Sequence, residues 1–374
     1  MASLHMPRSR RSLLAFGAAA TLVGGAVAYR KVATSRIREL EPGTPSTQPA
    51  SLKAALDELG WGSVSPPSPS SLTTSDGAKL AMWDVGEGPT VVLPHCWGGT
   101  HAIWVPVARR LVESGHRVVL YDQRGHGAST RGTAQLTIVT LADDFAAVLA
   151  ARQINNAVLA GHSMGGMTIM ALATHRPDIL AARARAIVLV ATAAADLGSG
   201  AAAAEWFAAN LIASPAVSLA LRSPAGNRFV RGVFGTDPVR AQMDLTRMLF
   251  AETTPQVRAG FLSSMSTMNL LEGIATIGIP TTVMVGSRDR LTSPSRADQL
   301  VHTIPGARLV TLPGRGHMLP LEDADAVSAE IVRAVNGKTG NELGERVATL
   351  RRPPQPGPSL PSSHGAESTD GSGH

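Results

Sequence analysis

Cysteine and aromatic residues are scarce in this chain, and both shortages limit what the protein can be. The 374 residues include one cysteine, Cys96, which excludes an intramolecular disulfide and a cysteine-based metal site. Aromatic residues make up 4% of the chain and apolar residues 44%, so we expect a core of small aliphatic side chains. The sequence has no cluster of metal ligands and no phosphate-cradling glycine loop, and we predict neither a metal nor a cofactor.

Acidic residues are missing from segment 1–38, and this uneven charge explains why the chain as a whole is basic. The segment holds six arginines and one lysine, whereas the full sequence has a net charge of +6. The residues after position 38 therefore carry a net charge of −1. A protein body without excess positive charge is not expected to bind nucleic acid, and we predict no such partner.

The basic N-terminus has the pattern of a targeting segment. Residues 9–14 have the sequence SRRSLL, a twin-arginine pattern, and the following run over 13–29 contains no charged residue. We expect segment 1–38 to be a signal peptide or a membrane anchor, with membrane association through 13–29. The protein is therefore predicted to be exported or membrane-associated.

Composition divides the rest of the chain into three parts. Residues 39–72 are rich in proline and serine and are predicted to form a linker. Residues 338–374 are rich in proline, glycine and serine and are predicted to be a disordered tail. The folded domain is expected to occupy 73–337.

Strand and helix patterns alternate through this predicted domain. Short runs of valine, isoleucine and leucine bounded by turn residues predict strands at 90–93, 117–121, 157–160, 186–190, 281–285 and 309–312. Helical patterns fall between them, at 102–114, 140–152, 165–174 and 324–335. This alternation predicts an α/β fold with a mostly parallel central sheet and helices on both faces. The spacing is broken once, and helical patterning there predicts an inserted helical cap at about 195–272.

A serine lies at one of the predicted junctions between a strand and a helix. Residues 161–165 have the sequence GHSMG, and G-x-S-x-G in this position is typical of a tight turn that exposes the serine hydroxyl. The N–H groups at the start of the following helix favour a developing negative charge. We therefore predict that Ser163 is a catalytic nucleophile.

A neutral serine needs a base that a third group orients. His317 follows the last predicted strand, and Asp289 follows the strand before it. The chain order Ser163, Asp289, His317 is the one expected for a serine on such a junction. Asp196, just after the strand at 186–190, is an alternative acid. Other histidines near the same edge of the sheet are expected to have structural roles: His95, His101, His126 and His162.

An oxyanion hole would require two N–H donors. The first predicted donor is the amide of Met164, next to the serine. The second is expected in the loop after the strand at 90–93 and is assigned to the amide of Trp97. Gly98 and Gly99 give this loop the freedom to approach a substrate.

Four sequence blocks together resemble the α/β-hydrolase superfamily, in particular its cap-bearing serine hydrolases of the esterase and lipase kind. The blocks are HCWGGTHAIWVPVARRL, YDQRGHGAST, AGHSMGG and VGSRDRLTSP with LPGRGHMLPLE, within residues 75–337. The resemblance implies that Asp122 and Arg124 stabilise the loops around the site. One position departs from the family pattern, because Cys96 replaces the usual glycine after His95 and leaves the backbone next to Trp97 less freedom.

The resemblance and the serine together imply acyl chemistry, because epoxide hydrolases and haloalkane dehalogenases have an aspartate at this position. We predict a serine hydrolase that cleaves carboxylic esters, with a lipophilic acyl or lipid ester as substrate. Alternatives are a perhydrolase of the non-haem haloperoxidase kind, a C–C bond hydrolase, and a catalytically silent binding protein. The expected apolar pocket rests on aromatic, leucine and methionine residues of the predicted cap and just after: Trp206, Phe207, Leu211, Phe229, Phe234, Met243, Met248, Phe250, Phe261, Met265 and Met268.

Overall fold

Eight strands form one central sheet. The computed structural model describes residues 68–195, 197, 214–223 and 226–337. The strands are β1 (Ser70–Thr73), β2 (Lys79–Val85), β3 (Thr90–Leu93), β4 (Arg117–Tyr121), β5 (Ala157–His162), β6 (Ala184–Val190), β7 (Thr281–Gly286) and β8 (Arg308–Leu312). Their order across the sheet is β1-β2-β4-β3-β5-β6-β7-β8. β2 pairs antiparallel with β1 and with β4, whereas the other neighbouring strands are parallel.

Helices connect the parallel strands. Those of the described residues are α1 (Val105–Glu113), α2 (Ile138–Ala151), α3 (Met164–His175), α4 (Pro177–Arg183), α5 (Pro215–Arg222), α6 (Asn227–Val230), α7 (Arg240–Glu252), α8 (Pro255–Thr267), α9 (Leu271–Ile274), α10 (Pro294–Thr303), α11 (Leu319–Glu322) and α12 (Ala324–Val335). Two short 3-10 turns occur at His101–Trp104 and Arg231–Val233. Among these elements, no helix combines the length and the apolar character needed to cross a membrane.

Both faces of the sheet are buried. Side chains alternate along each strand, so that in β3 Val91 and Leu93 face one hydrophobic layer and Val92 faces the other. Helices α1 and α12 cover the first layer, and α2, α3 and α10 cover the second. The predicted α/β fold with helices on both faces is confirmed.

The predicted helical cap is also confirmed, because the described residues between β6 and β7 include α5 to α9 and no long strand. Leu245 and Met248 of α7 pack into the hydrophobic layer of α1, whereas Phe261 and Met265 of α8 pack into the layer of α2. The cap is therefore anchored to both layers of the core.

The antiparallel edge of the sheet was not predicted from the sequence. β1 begins at Ser70, inside the predicted linker at 39–72, so the folded part starts earlier than position 73. Its polar residues are largely exposed, and the strand is defined by its pairing with β2, from Ser70 opposite Met82 to Thr73 opposite Lys79. The predicted segment 1–38, the tail at 338–374 and Asp196 lie outside the described residues.

Candidate active site

Ser163 occupies a strained turn between β5 and α3. Its backbone angles are φ 53° and ψ −115°, a region that a residue with a side chain rarely adopts. Such a conformation costs about 1–3 kcal/mol and persists only where the surroundings hold it. Here the Ser163 amide donates to the carbonyl of Val190 (2.9 Å), and its carbonyl accepts from the hydroxyl of Thr192 (2.7 Å). The fold therefore maintains the turn that presents this serine.

Three glycines around the serine are explained by close backbone contacts. A β-carbon at Gly161 would lie 2.5 Å from the carbonyl carbon of Gly165, and one at Gly166 would lie 2.7 Å from Thr192. A β-carbon at Gly165 would lie 2.1 Å from the carbonyl oxygen of Pro94. These contacts let the start of α3 approach both β5 and the loop after β3, as the sequence motif predicts for a tight turn.

The three residues predicted as nucleophile, base and acid are hydrogen-bonded in a chain. Nε2 of His317 lies 3.0 Å from Oγ of Ser163, and Nδ1 of His317 lies 2.9 Å from Oδ2 of Asp289. All three residues are buried, with relative exposures of 7% for Ser163, 5% for His317 and 4% for Asp289. This geometry allows the imidazole to accept a proton from the serine while the carboxylate orients the ring.

The surroundings of Asp289 keep its carboxylate ionised. Burial acts to raise the pKa of Asp289, but the nearby His317 and hydrogen bonds from His317 and Thr292 outweigh it and hold the pKa below its ordinary value. The amides of Leu291 and Thr292 donate to Oδ1 (2.8 and 2.9 Å), and the hydroxyl of Thr292 donates to Oδ2 (2.9 Å). An ionised Asp289 selects the tautomer of His317 that carries its proton on Nδ1 and leaves Nε2 free to accept.

The two predicted oxyanion donors lie at the start of α3, directly after the serine, and in the loop after β3. The amide of Met164 begins α3, and the amide of Trp97 belongs to the loop that packs on Gly165 through Pro94. Within the described part of the chain, neither amide has a hydrogen-bond acceptor. Both amides are therefore available as donors, and their role as an oxyanion hole stays a prediction.

Two neutral histidines hold the loop that carries Trp97. His95 donates from Nδ1 to the carbonyl of Cys96 (2.7 Å) and accepts at Nε2 from the amide of Gln123 (2.9 Å). His126 accepts at Nε2 from the amide of Gly98 (3.1 Å). Burial lowers the pKa of His95 to about 3 and that of His126 to about 4, so both rings stay uncharged and keep these acceptor nitrogens.

The Cys96 departure is accommodated by the core. Its side chain is buried in the hydrophobic layer of α1, and burial raises the pKa of the thiol to about 12. The carbonyl of Cys96 accepts from both His95 and the amide of Gly99 (3.1 Å). Cys96 is therefore a packed thiol rather than a thiolate, and its peptide is fixed from two sides.

Asp122 and Arg124 hold the neighbouring turn in place. Asp122 accepts from the amide and from Nδ1 of His101, both at 2.8 Å. Arg124 forms a bidentate ion pair with Asp144, with both distances at 2.6 Å, and a second ion pair with Asp76. Neither residue contacts the serine, and both connect loops around it, as the resemblance implied.

The cap contacts Trp97 through Phe250 and Arg258. The ring of Phe250 packs edge-to-face on Trp97 at a centroid distance of 4.9 Å, and it covers Gly98 so closely that a β-carbon there would lie 2.2 Å from it. Nε1 of Trp97 donates to the carbonyl of Arg258 (3.2 Å). Several other cap residues of the expected pocket are instead buried in the core: Phe234, Met248, Phe261 and Met265. Trp206, Phe207 and Leu211 lie outside the described residues.

The comparison with known proteins agrees with the fold. A family model described as the alpha/beta hydrolase fold matches residues 89–324, more than half of the chain. The protein belongs to the α/β-hydrolase family. The resemblance seen in the sequence is thereby confirmed.

Relatives within the α/β-hydrolase family include proteins named for different activities. The chain is 30% identical over 227 residues to 3-oxoadipate enol-lactonase 1 of Acinetobacter baylyi, covering 59% of this chain and 80% of that protein. It is 25% identical over 268 residues to a non-heme haloperoxidase of Rhodococcus erythropolis, covering 70% of this chain and 97% of that protein. The structure of an esterase from Exiguobacterium antarcticum matches with a TM-score of 0.62 at 20% identity, covering 72% of this chain and 99% of that chain. This likeness shows the shared fold alone.

Proposed function

We propose that this α/β-hydrolase cleaves carboxylic esters through an acyl-enzyme on Ser163. The observation that carries the proposal is the hydrogen-bonded chain from Ser163 through His317 to Asp289, set beside two free amides. Similarity to an enol-lactonase supports it, because a lactone is a cyclic carboxylic ester. The serine and histidine perform the chemistry, and the aspartate keeps the histidine in the required tautomer.

In the first half of the reaction, Oγ of Ser163 attacks the ester carbonyl carbon while Nε2 of His317 takes the hydroxyl proton. The oxyanion that forms is stabilised by the amides of Met164 and Trp97. Loss of one such donor typically costs about 10²–10³ in kcat. The tetrahedral intermediate then expels the alcohol, which receives the proton from His317, and the acyl group stays on the serine.

In the second half, water attacks the acyl-enzyme and gives one proton to His317. The second tetrahedral intermediate collapses, the proton returns to Oγ of Ser163, and the carboxylic acid leaves. The ionised Asp289 stabilises the protonated imidazole during both halves without itself taking the proton.

We further propose that the acyl group of the substrate is apolar. The indole ring of Trp97, whose own amide is the second proposed oxyanion donor, packs on the ring of Phe250, and the two rings offer aromatic surface. The ring of Phe229 is about half exposed, and its centroid lies 6.4 Å from that of Phe250. An acyl chain that extends from the serine past Trp97 would meet these rings, which favours a lipophilic ester.

The proposal is tested with p-nitrophenyl esters from C2 to C16 and the full-length protein. Ser163→Ala is expected to lower kcat by at least about 10⁴-fold. The matched control is Ser295→Ala, an exposed serine at the start of α10. Hydrolysis by Ser163→Ala at the wild-type rate would contradict the assignment, and a steep preference for acetyl esters would contradict the lipophilic substrate.

Perhydrolysis is a second candidate, favoured by the similarity to a non-heme haloperoxidase. In that reaction hydrogen peroxide replaces water in the second half and the product is a peracid. The same serine would carry the acyl group. Peracid formation from a short carboxylic acid and hydrogen peroxide, faster than ester hydrolysis and lost in Ser163→Ala, would favour this function over the first.

A further inference from the structure

Glu322 at the end of α11 reaches back to the loop that carries His317. Its Oε2 accepts from the amide of Gly316 (2.9 Å), and its Oε1 accepts from the amide of Met318 (2.9 Å). These two amides belong to the residues immediately before and after His317. The carboxylate thus bridges the backbone on both sides of the imidazole.

The same carboxylate also binds the cap. Oε2 of Glu322 accepts from the amide of Gly235, at 2.7 Å the shortest of the three bonds. In the described part of the chain Glu322 forms no ion pair, and the neighbouring Arg315 pairs instead with Asp323 at 2.9 Å. The negative charge of Glu322 is therefore balanced by three backbone amides, and charge-assisted bonds of this kind are stronger than neutral ones.

The cap segment around Gly235 lies directly on the loop. The amide of His317 donates to the carbonyl of Val233 (2.7 Å), and the amide of Thr236 donates to the carbonyl of Gly314 (2.9 Å). A β-carbon on Gly235 would lie 2.0 Å from that same carbonyl oxygen, so the two backbones cross with no room for a side chain. A shift of this cap segment would therefore move the main chain of His317.

The opposite side of His317 is held by His162. Nε2 of His162 donates to the carbonyl of His317 (2.8 Å), and His162 is itself fully buried next to Ser163. Both backbone polar groups of His317 are therefore paired, one with the cap and one with the strand that ends at the serine. Two side chains join the cap to the loop among the described residues. The hydroxyl of Thr236 donates to the carbonyl of Gly314 (3.2 Å), and Glu322 binds Gly235 together with the amides on both sides of His317.

We propose that Glu322 is a positioning residue that couples the cap to the general base, by tying Gly235 of the cap to the two amides that flank His317. The inference rests on the proposed function, in which Nε2 of His317 must stay within hydrogen-bond distance of Ser163. A misplacement of about 1 Å can lower a rate by about 10²-fold. Glu322 forms no hydrogen bond with Trp97 or Phe250, so we expect the effect on kcat to exceed that on KM.

The test compares Glu322→Gln with Asp325→Asn in the full-length protein. Glutamine keeps the shape but places an NH₂ group opposite amide donors, whereas Asp325 lies three residues further on and pairs with Arg110 at the surface. For Glu322→Gln we expect kcat to fall by about 10–100-fold with KM changed by less than about threefold. For Asp325→Asn we expect neither to change.

A readout independent of substrate is the downfield proton resonance of Nδ1–H of His317 in its bond to Asp289. In Glu322→Gln this resonance should broaden or shift, and in Asp325→Asn it should match the wild type. An unchanged resonance together with an unchanged kcat would overturn the inference. A wild-type protein without esterase activity would refute the proposed function, and the resonance would then still decide the role of Glu322.

If Glu322→Gln does not fold, amide hydrogen exchange of the wild-type protein tests whether Glu322 joins the cap to the loop. The amides of Gly235, Gly316 and Met318 should be strongly protected and should open together, because one carboxylate binds all three. Exchange of these amides at the rate of an unstructured peptide would overturn the inference.

Discussion

Acidification from pH 7 to pH 5 is expected to destabilise this protein strongly, because three histidines are buried without charge. Burial lowers the pKa of His95 and His162 to about 3 and that of His126 to about 4. In the unfolded chain a histidine has a pKa of about 6.5. Between these values the unfolded state binds more protons than the folded state, so the free energy of unfolding falls as the pH falls.

The size of the effect follows from the number of protons. Each histidine contributes a slope of up to about 1.4 kcal/mol per pH unit below about pH 6. Between pH 7 and pH 5 the loss is about 2 kcal/mol for each ring and about 5–6 kcal/mol for the three. Burial also raises the pKa of Glu252 and of Asp144, so each of these carboxyl groups can take up a proton in the folded state as the pH falls and oppose part of the loss. Since a native domain is stable by about 5–15 kcal/mol, the loss is a large part of the total.

The assay is urea unfolding of the full-length protein at pH 7, 6 and 5, followed by circular dichroism. His126→Gln removes one of the three buried rings and should reduce the pH slope by about a third, whatever its effect on stability at pH 7. The control is His175→Gln at the end of α3, where the side chain is exposed and the slope should not change. A free energy of unfolding that stays constant between pH 7 and pH 5 would refute the reasoning.

Three further predictions concern the site. Asp289→Asn should lower kcat by about 10⁴-fold at pH 7 through loss of the required tautomer, and the exposed Asp298→Asn is its control in ester hydrolysis. Gly165→Ala should lower kcat by about 10²-fold, because the new β-carbon would displace the loop that carries Trp97. The control is Gly232→Ala, where nothing lies within 4 Å of the new β-carbon and kcat should not change. Equal kcat values for the two variants would argue against a role of this loop in catalysis. Phe250→Ala should lower kcat/KM for a C8 ester about tenfold more than for a C2 ester, and equal losses for both chain lengths would mean that the ring does not contact the acyl group.

The six predicted strands could be found from the sequence because each is a short run rich in β-branched and aliphatic residues, and most of them are buried on both faces. β1 could not, since SSLT has no hydrophobic pattern and is a strand only through pairing with β2. The residues proposed for catalysis were predictable from a motif and a chain order that place them at the carboxyl ends of strands.

The residues that support the site were harder to predict. Thr292 bonds Asp289 and Glu322 bonds Gly316 only because the loops around them turn back. Such turns leave no periodic pattern in the sequence. Cap residues could be recognised as apolar, but whether a given ring lines the pocket or the core depends on how each helix is rotated. Phe250 contacts the oxyanion loop, whereas Phe261 of the next helix is fully buried in the core.

Acylation of Ser163 is the step on which the proposed reaction depends. We would mix the full-length protein with p-nitrophenyl butyrate, quench with acid within milliseconds, and map the adduct by peptide mass spectrometry. The expected result is one butyryl group on the peptide that contains Ser163, absent from Ser163→Ala. A butyryl group on any other residue, or ester turnover that Ser163→Ala retains, would contradict the proposed mechanism.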